Sequence, residues 1–410
     1  MTQKVLWVWL AEACGAGNDT FARLNALGLS PDALYHADQS SLSTYLPKKP
    51  AAVRRLSDKN TARAQDIVAF CALHDIAILP YSHPLYPPAL RQIENPPVLL
   101  YVKGDATLLT SSTQVAIVGS RDVSEYGTRM AFRLGRQLAE AGIVVVSGLA
   151  LGTDSVAHAG AICGNGKTVA VVASGVDKVY PVSHRTLAKH IGETGAIVSE
   201  YPPGTKPQRY YFPLRNRIVG AISQGVVVVE GSKISGSLIT ARHALRQGKD
   251  VFALPGRVDD LHTVAPMMLL SEGAQMLVSA QQIIAHYLPE KANQQPIEDT
   301  NEDQTRAHYL ALLGVHGVEA FKQNPSRRTK NTLDHSPEIS PASSPKSSQY
   351  FELEGDMLVV YERIPEEGAC LPDELAGDGL SPMQVMRALT SLEIEGAIQR
   401  HPSGRVSRSK

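Results

Sequence analysis

The chain has 410 residues, 43% of them apolar, and its 40 lysines and arginines balance 40 aspartates and glutamates. At roughly 150 residues per domain it holds about two to four folded units with core enough to need no staple, and its zero net charge excludes a globally basic nucleic-acid binder while leaving room for a locally basic site. Four scattered cysteines, Cys14, Cys71, Cys163 and Cys370, form no C-x-x-C pair, which speaks against a zinc ribbon or disulfide scaffold and for a reducing, cytoplasmic setting.

Lys4 precedes an apolar run over 5–11 that stops at Glu12, at the short edge of a signal-peptide core, so it is expected to open a helix instead. No run approaches the ~20 apolar residues of a membrane span, and no membrane partner is expected. Residues 1–80 predict short helices at 5–14, 19–27, 30–36 and 40–45 and a longer one ending near 74, with a Gly-Leu-Ser-Pro junction at 28–31. This is the pattern of a small helical bundle of the sterile-alpha-motif or helix-hairpin-helix type. With 8 cations against 7 carboxylates it is expected to pack or to interact rather than to meet DNA.

From 81 to 289 β-branched runs alternate with amphipathic stretches. Strands are expected at 115–118, 143–147, 168–172, 196–199, 226–229 and 251–253, and helices at 127–141, 154–160, 183–191 and 237–247. Strands apolar on both faces imply a mostly parallel sheet covered on both sides, an α/β fold of extended Rossmann-like type. The pattern is lost over 290–350, where 324–348 is rich in Pro, Ser, Thr and Asn and reads as a largely disordered linker. Residues 351–410 predict helices at 354–362, 371–375 and 383–395, turns at 379–382 and at Gly404, and a closing β-hairpin, the order of a winged helix.

Four strand-end turns carry the candidate chemistry. The first is Val115-Ala-Ile-Val-Gly119-Ser120-Arg121, where glycine admits a ligand to the backbone and exposed amides with Arg121 favour an anion. It is not the G-x-G-x-x-G fingerprint, so a dinucleotide cofactor is not expected. The second, Ser147-Gly-Leu-Ala-Leu-Gly-Thr153-Asp154, leads into a helix on which Asp154 and His158 share a face. Without a third ligand in suitable spacing, capping by Thr153 or Asp154 and internal hydrogen bonding are expected there, not a metal.

The third is the most informative. Residues 205–217 contain Lys206, Arg209, Arg215 and Arg217 without one acid, interleaved with Tyr210, Tyr211 and Phe212. Cations for phosphates and aromatic faces for bases are the two components of a single-strand nucleic-acid groove, with Arg209 and Arg217 expected to touch phosphates. The fourth is Ser235-Gly236-Ser237 in a turn after a strand, with Pro255-Gly256 closing the next one. Several such turns at one sheet edge would build a composite anion pocket. No Ser-His-Asp or paired-carboxylate arrangement stands out, which suits binding more than bond cleavage.

The ordered string Tyr86-Pro, Pro97-Val-Leu-Leu-Tyr-Val-Lys-Gly104, Val118-Gly-Ser-Arg121, Ser147 to Asp154, Tyr180-Pro181, Ser199-Glu-Tyr-Pro202, Phe212-Pro-Leu-Arg-Asn-Arg217, Ser235 to Thr240 and Pro255-Gly256 resembles the DNA-processing protein A family (DprA/Smf) over about residues 80–280. The resemblance implies a non-enzymatic role in natural transformation, without a cofactor. Such proteins bind and protect incoming single-stranded DNA, dimerise through the Rossmann-like domain and load the RecA recombinase. By motif the DNA site would include Arg121, Arg209, Phe212, Arg215, Asn216 and Arg217, and with the turn residues Gly119, Ser120, Lys206, Ser235, Gly236 and Ser237. The family's Ser-x-Gly-x-Asn stretch is replaced by a segment with Ala265 and Met267 at the glycine and asparagine places, so contacts from that loop do not transfer.

The enzymatic alternative is a nucleotide hydrolase resembling the lysine-decarboxylase-like phosphoribohydrolases, but their Pro-Gly-Gly-x-Gly-Thr stretch is absent where Pro255-Gly256 continues Arg-Val-Asp-Asp. A duplex-specific regulator acting through the winged helix is opposed by charge. Residues 351–410 carry 6 cations against 11 carboxylates, whereas 81–289 carry 19 against 14.

Overall fold

The structure, a computed structural model, describes residues 2–293 and 301–315 and, beyond them, 356–365, 369–375 and short stretches between 385 and 408. The expected turns at 379–382 and Gly404, most of the helix expected at 383–395 and the Pro/Ser-rich stretch 324–348 lie outside the described residues. Two units separate, 1–328 and 329–410.

Six helices come first: α1 (Gln3–Cys14), α2 (Thr20–Ala26), α3 (Pro31–His36), α4 (Gln39–Tyr45), α5 (Pro50–Ser57) and α6 (Ala62–Leu73). Their starts follow local chemistry. Ser30 and Asp38 cap α3 and α4 by accepting from the amides of Ala33 and Ser41, and Pro31 and Pro50 stand in the first turns of α3 and α5, where no amide partner is needed. The expected longer helix ending near 74 is α6, and α5 precedes it as a further short helix.

The sheet follows in the order β1 (Ile76–Pro80), α7 (Pro88–Arg91), β2 (Leu99–Gly104), α8 (Leu108–Ser111), β3 (Gln114–Val118), α9 (Glu125–Glu140), β4 (Val144–Ser147), α10 (Thr153–Cys163), β5 (Thr168–Val171), α11 (Arg185–Thr194), β6 (Ala196–Ser199), α12 (Tyr211–Ile222), β7 (Gly225–Val228), α13 (Gly236–Arg246), β8 (Asp250–Ala253), α14 (Val264–Ser271), β9 (Gln275–Met276) and α15 (Ala280–Tyr287). All six expected strands are present, and β1, β2 and β9 are additional. The strand order is β1-β2-β6-β5-β4-β3-β7-β8-β9, with β1–β2 and β2–β6 antiparallel and the remaining pairs parallel. The sheet begins before residue 81, inside the segment the sequence assigns to helices.

Alternate residues of each central strand enter two different cores. Val115, Ile117, Val145 and Val227 face α9, α10, α11 and α15 together with the N-terminal helices, while Ala116, Val118, Val146 and Val228 face α12, α13 and α14. Apolar residues on both pleat faces are what a doubly covered parallel sheet requires. α9 and α10 cross closely because Gly160 has no side chain: a Cβ there would stand 2.2 Å from the carbonyl oxygen of Phe132.

The stretch expected as a linker contains a helix, α16 (Glu302–Leu312), whose Glu302 pairs with Arg133 of α9 at 2.5 Å and whose Leu310 joins the core. The buried Leu310 and the Glu302–Arg133 ion pair hold this helix against α9 and the core, upstream of the Pro/Ser-rich stretch. In the second unit the described residues form a helix at Asp356–Arg363, a 3-10 turn at Pro372–Leu375 and an antiparallel pair, Ile398–Arg400 with Val406–Arg408. Among the described residues no helix is long and apolar enough to cross a membrane.

Candidate nucleic-acid interface

The chain winds outward from β3 through β4, β5 and β6, then returns to place β7 on the other side of β3. In open α/β sheets the loops diverge at such a reversal and leave a crevice outside the carboxyl ends of the strands. Here the crevice is a cavity of about 500 Å³ lined by Gly119, Ser120 and Arg121 after β3, by Asp154 of α10, by Arg209, Phe212, Arg215 and Asn216 around the start of α12, and by Ser235, Gly236 and Ser237 at the start of α13. Helices α10, α12 and α13 all begin at this opening, and helix N-termini favour anions.

The local geometry is tightly specified. Ser120 accepts from the Asp122 amide at 3.1 Å, and its carbonyl accepts from the Thr153 amide at 3.0 Å and hydroxyl at 3.1 Å. Gly152, at φ 75°, lets this turn close, since a Cβ would stand 2.4 Å from the Ser120 oxygen. The residue before α10 is therefore Gly152, and neither Thr153 nor Asp154 caps the helix as the sequence suggests. Thr153 ties α10 to the β3 turn, and Asp154 accepts from the Gly148 amide at 3.1 Å.

Arg121 lies exposed with its guanidinium carbon 4.7 Å from the Phe212 ring centroid, and the Tyr180 ring is tilted against the same ring at 5.7 Å. Arg209 is exposed as well, and among the described residues neither arginine has an ion pair. Asn216 donates to the Gly236 carbonyl at 3.2 Å, linking α12 to α13, and the Ser235 and Ser237 hydroxyls pair at 2.7 Å.

Arg215 is buried under the crevice. Its Nη1 donates to the Gly148 carbonyl at 2.6 Å and to that of Val171, and its Nε donates to Asn216 at 3.2 Å. Burial lowers its pKa to about 10 and raises that of Asp154, a rise that the positive charges of Arg215 and Arg121 oppose in part. Arg215 thus ties the ends of β4 and β5 to α12 and presents little charge to solvent.

Two expected residues are not brought to the crevice. Lys206 is exposed on the segment before α12 and does not line it. Arg217 points to the opposite side of α12, is 6% exposed, and is bound to Glu200 at 2.5 Å. With both side chains 8% exposed, an arginine so buried and paired does not face solvent to meet a phosphate, contrary to the sequence expectation. The departing segment at 262–268 is tied to the turn after β7: the Gly231 amide donates to the His262 carbonyl at 2.6 Å and the Ala265 amide to the Gly231 carbonyl at 2.7 Å. Tyr180 is the neighbour of Phe212 that sequence reasoning missed; Tyr180-Pro181 stood in the motif string, but nothing in the sequence set it beside that ring.

His158 belongs to the core. Fully buried, its Nδ1 meets the Thr168 hydroxyl at 2.6 Å, and Nε2 has no partner. No group of three His, Cys, Asp or Glu side chains among the described residues is placed to hold a metal ion. Burial, together with nearby His184 and Arg215, lowers the His158 pKa from 6.5 to about 3. The unfolded chain then binds the extra proton first, so stability is present at neutral pH and falls as pH drops below about 6.5. Between pH 6 and 4 His158→Gln is expected to lose roughly 2 kcal/mol less than the unsubstituted chain in urea titrations; parallel pH dependences would contradict this.

Fold and crevice together define a doubly wound α/β binding protein with cations, aromatic rings and helix N-termini at its switch point. A family model described as DNA recombination-mediator protein A matches residues 77–288, and the chain belongs to that family. It is 38% identical over 283 residues to the DNA processing protein DprA of Bacillus subtilis, covering 66% of this chain and 95% of that one. Protein Smf of Synechocystis is 32% identical, with 79% and 78% covered. The X-ray structure of DNA processing protein A from Streptococcus pneumoniae superposes with a TM-score of 0.62 at 32% identity, covering 70% of this chain and 98% of that one.

Proposed function

We propose that this chain binds single-stranded DNA in the crevice at the β3–β7 switch point, without cleaving it, protecting strands taken up in transformation and passing them to a RecA-type recombinase. The observation that carries the reading is the exposed Arg121 guanidinium over the Phe212 ring, with Tyr180 beside it and Arg209 at the rim. A phosphate would meet Arg121, Arg209 and the α13 amides while a base stacks on the exposed aromatic face. Relatives named for DNA processing support the same reading. Gly119, Ser120, Asn216, Ser235, Gly236 and Ser237 shape the wall, and Arg215 holds it from beneath.

Two assemblies complete the proposal. A homodimer would form through the α/β domain, where Met276 of the edge strand β9 is 54% exposed and Val278, just after it, 65%. A winged helix over 351–410 would then serve an interaction other than phosphate binding, given its excess of carboxylates. The nucleotide-hydrolase alternative is not favoured, since Arg257-Val-Asp-Asp stands where its signature would continue. The test is fluorescence anisotropy with a single-stranded oligonucleotide and its duplex at two salt concentrations. Tighter, salt-dependent binding of the single strand is expected; a preference for duplex would overturn the reading.

A further inference from the structure

The segment 205–217 sends its residues to two sides of α12. Arg209, Phe212, Arg215 and Asn216 line the switch-point crevice, while Thr205, Tyr210, Tyr211 and Leu214 line a second cavity of about 830 Å³. Its far wall comes from the N-terminal helices, with Trp9 and Glu12 of α1 and Arg55 and Arg63 of α5 and α6, and its floor from Tyr101 of β2 and Tyr201 after β6.

Two features mark this cavity as more than a seam between helices and sheet. Five aromatic side chains line it, Trp9, Tyr101, Tyr201, Tyr210 and Tyr211, and Tyr201 and Tyr211 already pack as a tilted pair at 4.1 Å and 33°. The hydroxyls of Tyr101 and Tyr201, on residues 1% and 4% exposed, have no hydrogen-bond partner. A buried hydroxyl left unpaired is costly, and a ligand with acceptor groups would satisfy both. At the mouth, Arg63 has a side chain 76% exposed, held by Glu12 at 2.5 Å, and Tyr210 is 57% exposed.

We propose that this cavity is a second nucleotide site, in which a base stacks against the Tyr201–Tyr210–Tyr211 wall with its acceptors toward the buried tyrosine hydroxyls, and the phosphate meets Arg63. Aromatic faces with a cation at the rim are the chemistry of nucleotide recognition. The same chemistry fits a free nucleoside monophosphate or one nucleotide of a strand that also crosses the switch-point crevice. The site stands whether or not that crevice takes DNA, because the two share a segment of chain but none of the residues that line them.

The experiment uses the full chain and two exposed substitutions, Tyr210→Ala and Arg63→Glu, with Arg121→Ala as the crevice control. One arm titrates deoxyadenosine 5′-monophosphate by calorimetry; the other follows a 2-aminopurine oligonucleotide, whose fluorescence falls when the base stacks. Saturable binding of the mononucleotide, weakened about tenfold by either cavity substitution and unchanged in Arg121→Ala, supports a free-nucleotide site. No mononucleotide binding, with 2-aminopurine quenching lost in the cavity variants, supports a strand nucleotide as occupant. Insensitivity of both arms to Tyr210→Ala and Arg63→Glu overturns the proposal, as does mononucleotide binding lost only in Arg121→Ala. Loss of oligonucleotide affinity confined to Arg121→Ala reports on the crevice and leaves the cavity without its nucleotide.

Discussion

Arg121→Ala is expected to weaken single-strand binding by roughly ten- to a hundredfold and to reduce the slope of log affinity against log salt by about 0.7. Hydrogen bonds to a charged group contribute about 1.5–3 kcal/mol, and one phosphate contact on a single strand releases about 0.7 of a counterion. Arg121 suits this role because it is exposed, has no ion pair among the described residues, and is held over Phe212 at 4.7 Å instead of being free to rotate. Phe212→Ala provides the contrast: it should cost a comparable ~1–3 kcal/mol by removing a stacking face while leaving the salt slope nearly intact. Anisotropy titrations at three or more salt concentrations separate the two effects. An unchanged slope in Arg121→Ala would remove the arginine from the phosphate path, and a slope change in Phe212→Ala would mean that the ring acts only by placing Arg121.

The separation of cations into free and occupied ones is where sequence and structure part. Runs such as Val115-Ala-Ile-Val118 and Val226-Val-Val-Val229 announce doubly buried strands, since β-branched residues on both pleat faces have no other stable home. β1 and β2 are less legible: β1 follows a helix by two residues and ends on Pro80, and both form the antiparallel flank of the sheet, outside the βαβ alternation. β9 is two exposed residues whose strand character comes from pairing with β8 alone.

The segment 205–217 announces its chemistry by composition but not its phase. Once α12 starts at Tyr211, Phe212, Arg215 and Asn216 fall on one side and Tyr211, Leu214 and Arg217 on the other, following the i, i+3, i+4 spacing of a helix. Read linearly, four cations without an acid look equally available. The carboxylate that occupies Arg217 comes from Glu200, at the end of β6, in a stretch whose proximity only the fold establishes.

That occupied pair sets the largest stability effect expected in the chain. Arg217 and Glu200 have side chains only 8% exposed each, with Nη2 and Oε2 at 2.5 Å, and Glu200 also accepts from the Gly17 amide at 3.3 Å. One carboxylate therefore joins α12, the end of β6 and the turn between α1 and α2. Removing one partner of a buried pair leaves the other charge uncompensated, so Arg217→Ala should cost about 3–5 kcal/mol in urea unfolding. Any folded protein that remains should keep the salt slope of single-strand binding, the reverse of Arg121→Ala. The pair itself is not ideal, because Nε and Nη1 of Arg217 have no partners and stay buried. Replacing both members by leucine removes the uncompensated charge together with those orphaned donors, and such exchanges are often close to neutral. Glu200→Leu combined with Arg217→Leu should therefore recover much of the stability lost in Arg217→Ala. A double variant as unstable as the sum of its single changes would show that the Glu200 contact to Gly17, not the charge pair, holds the N-terminal helices in place.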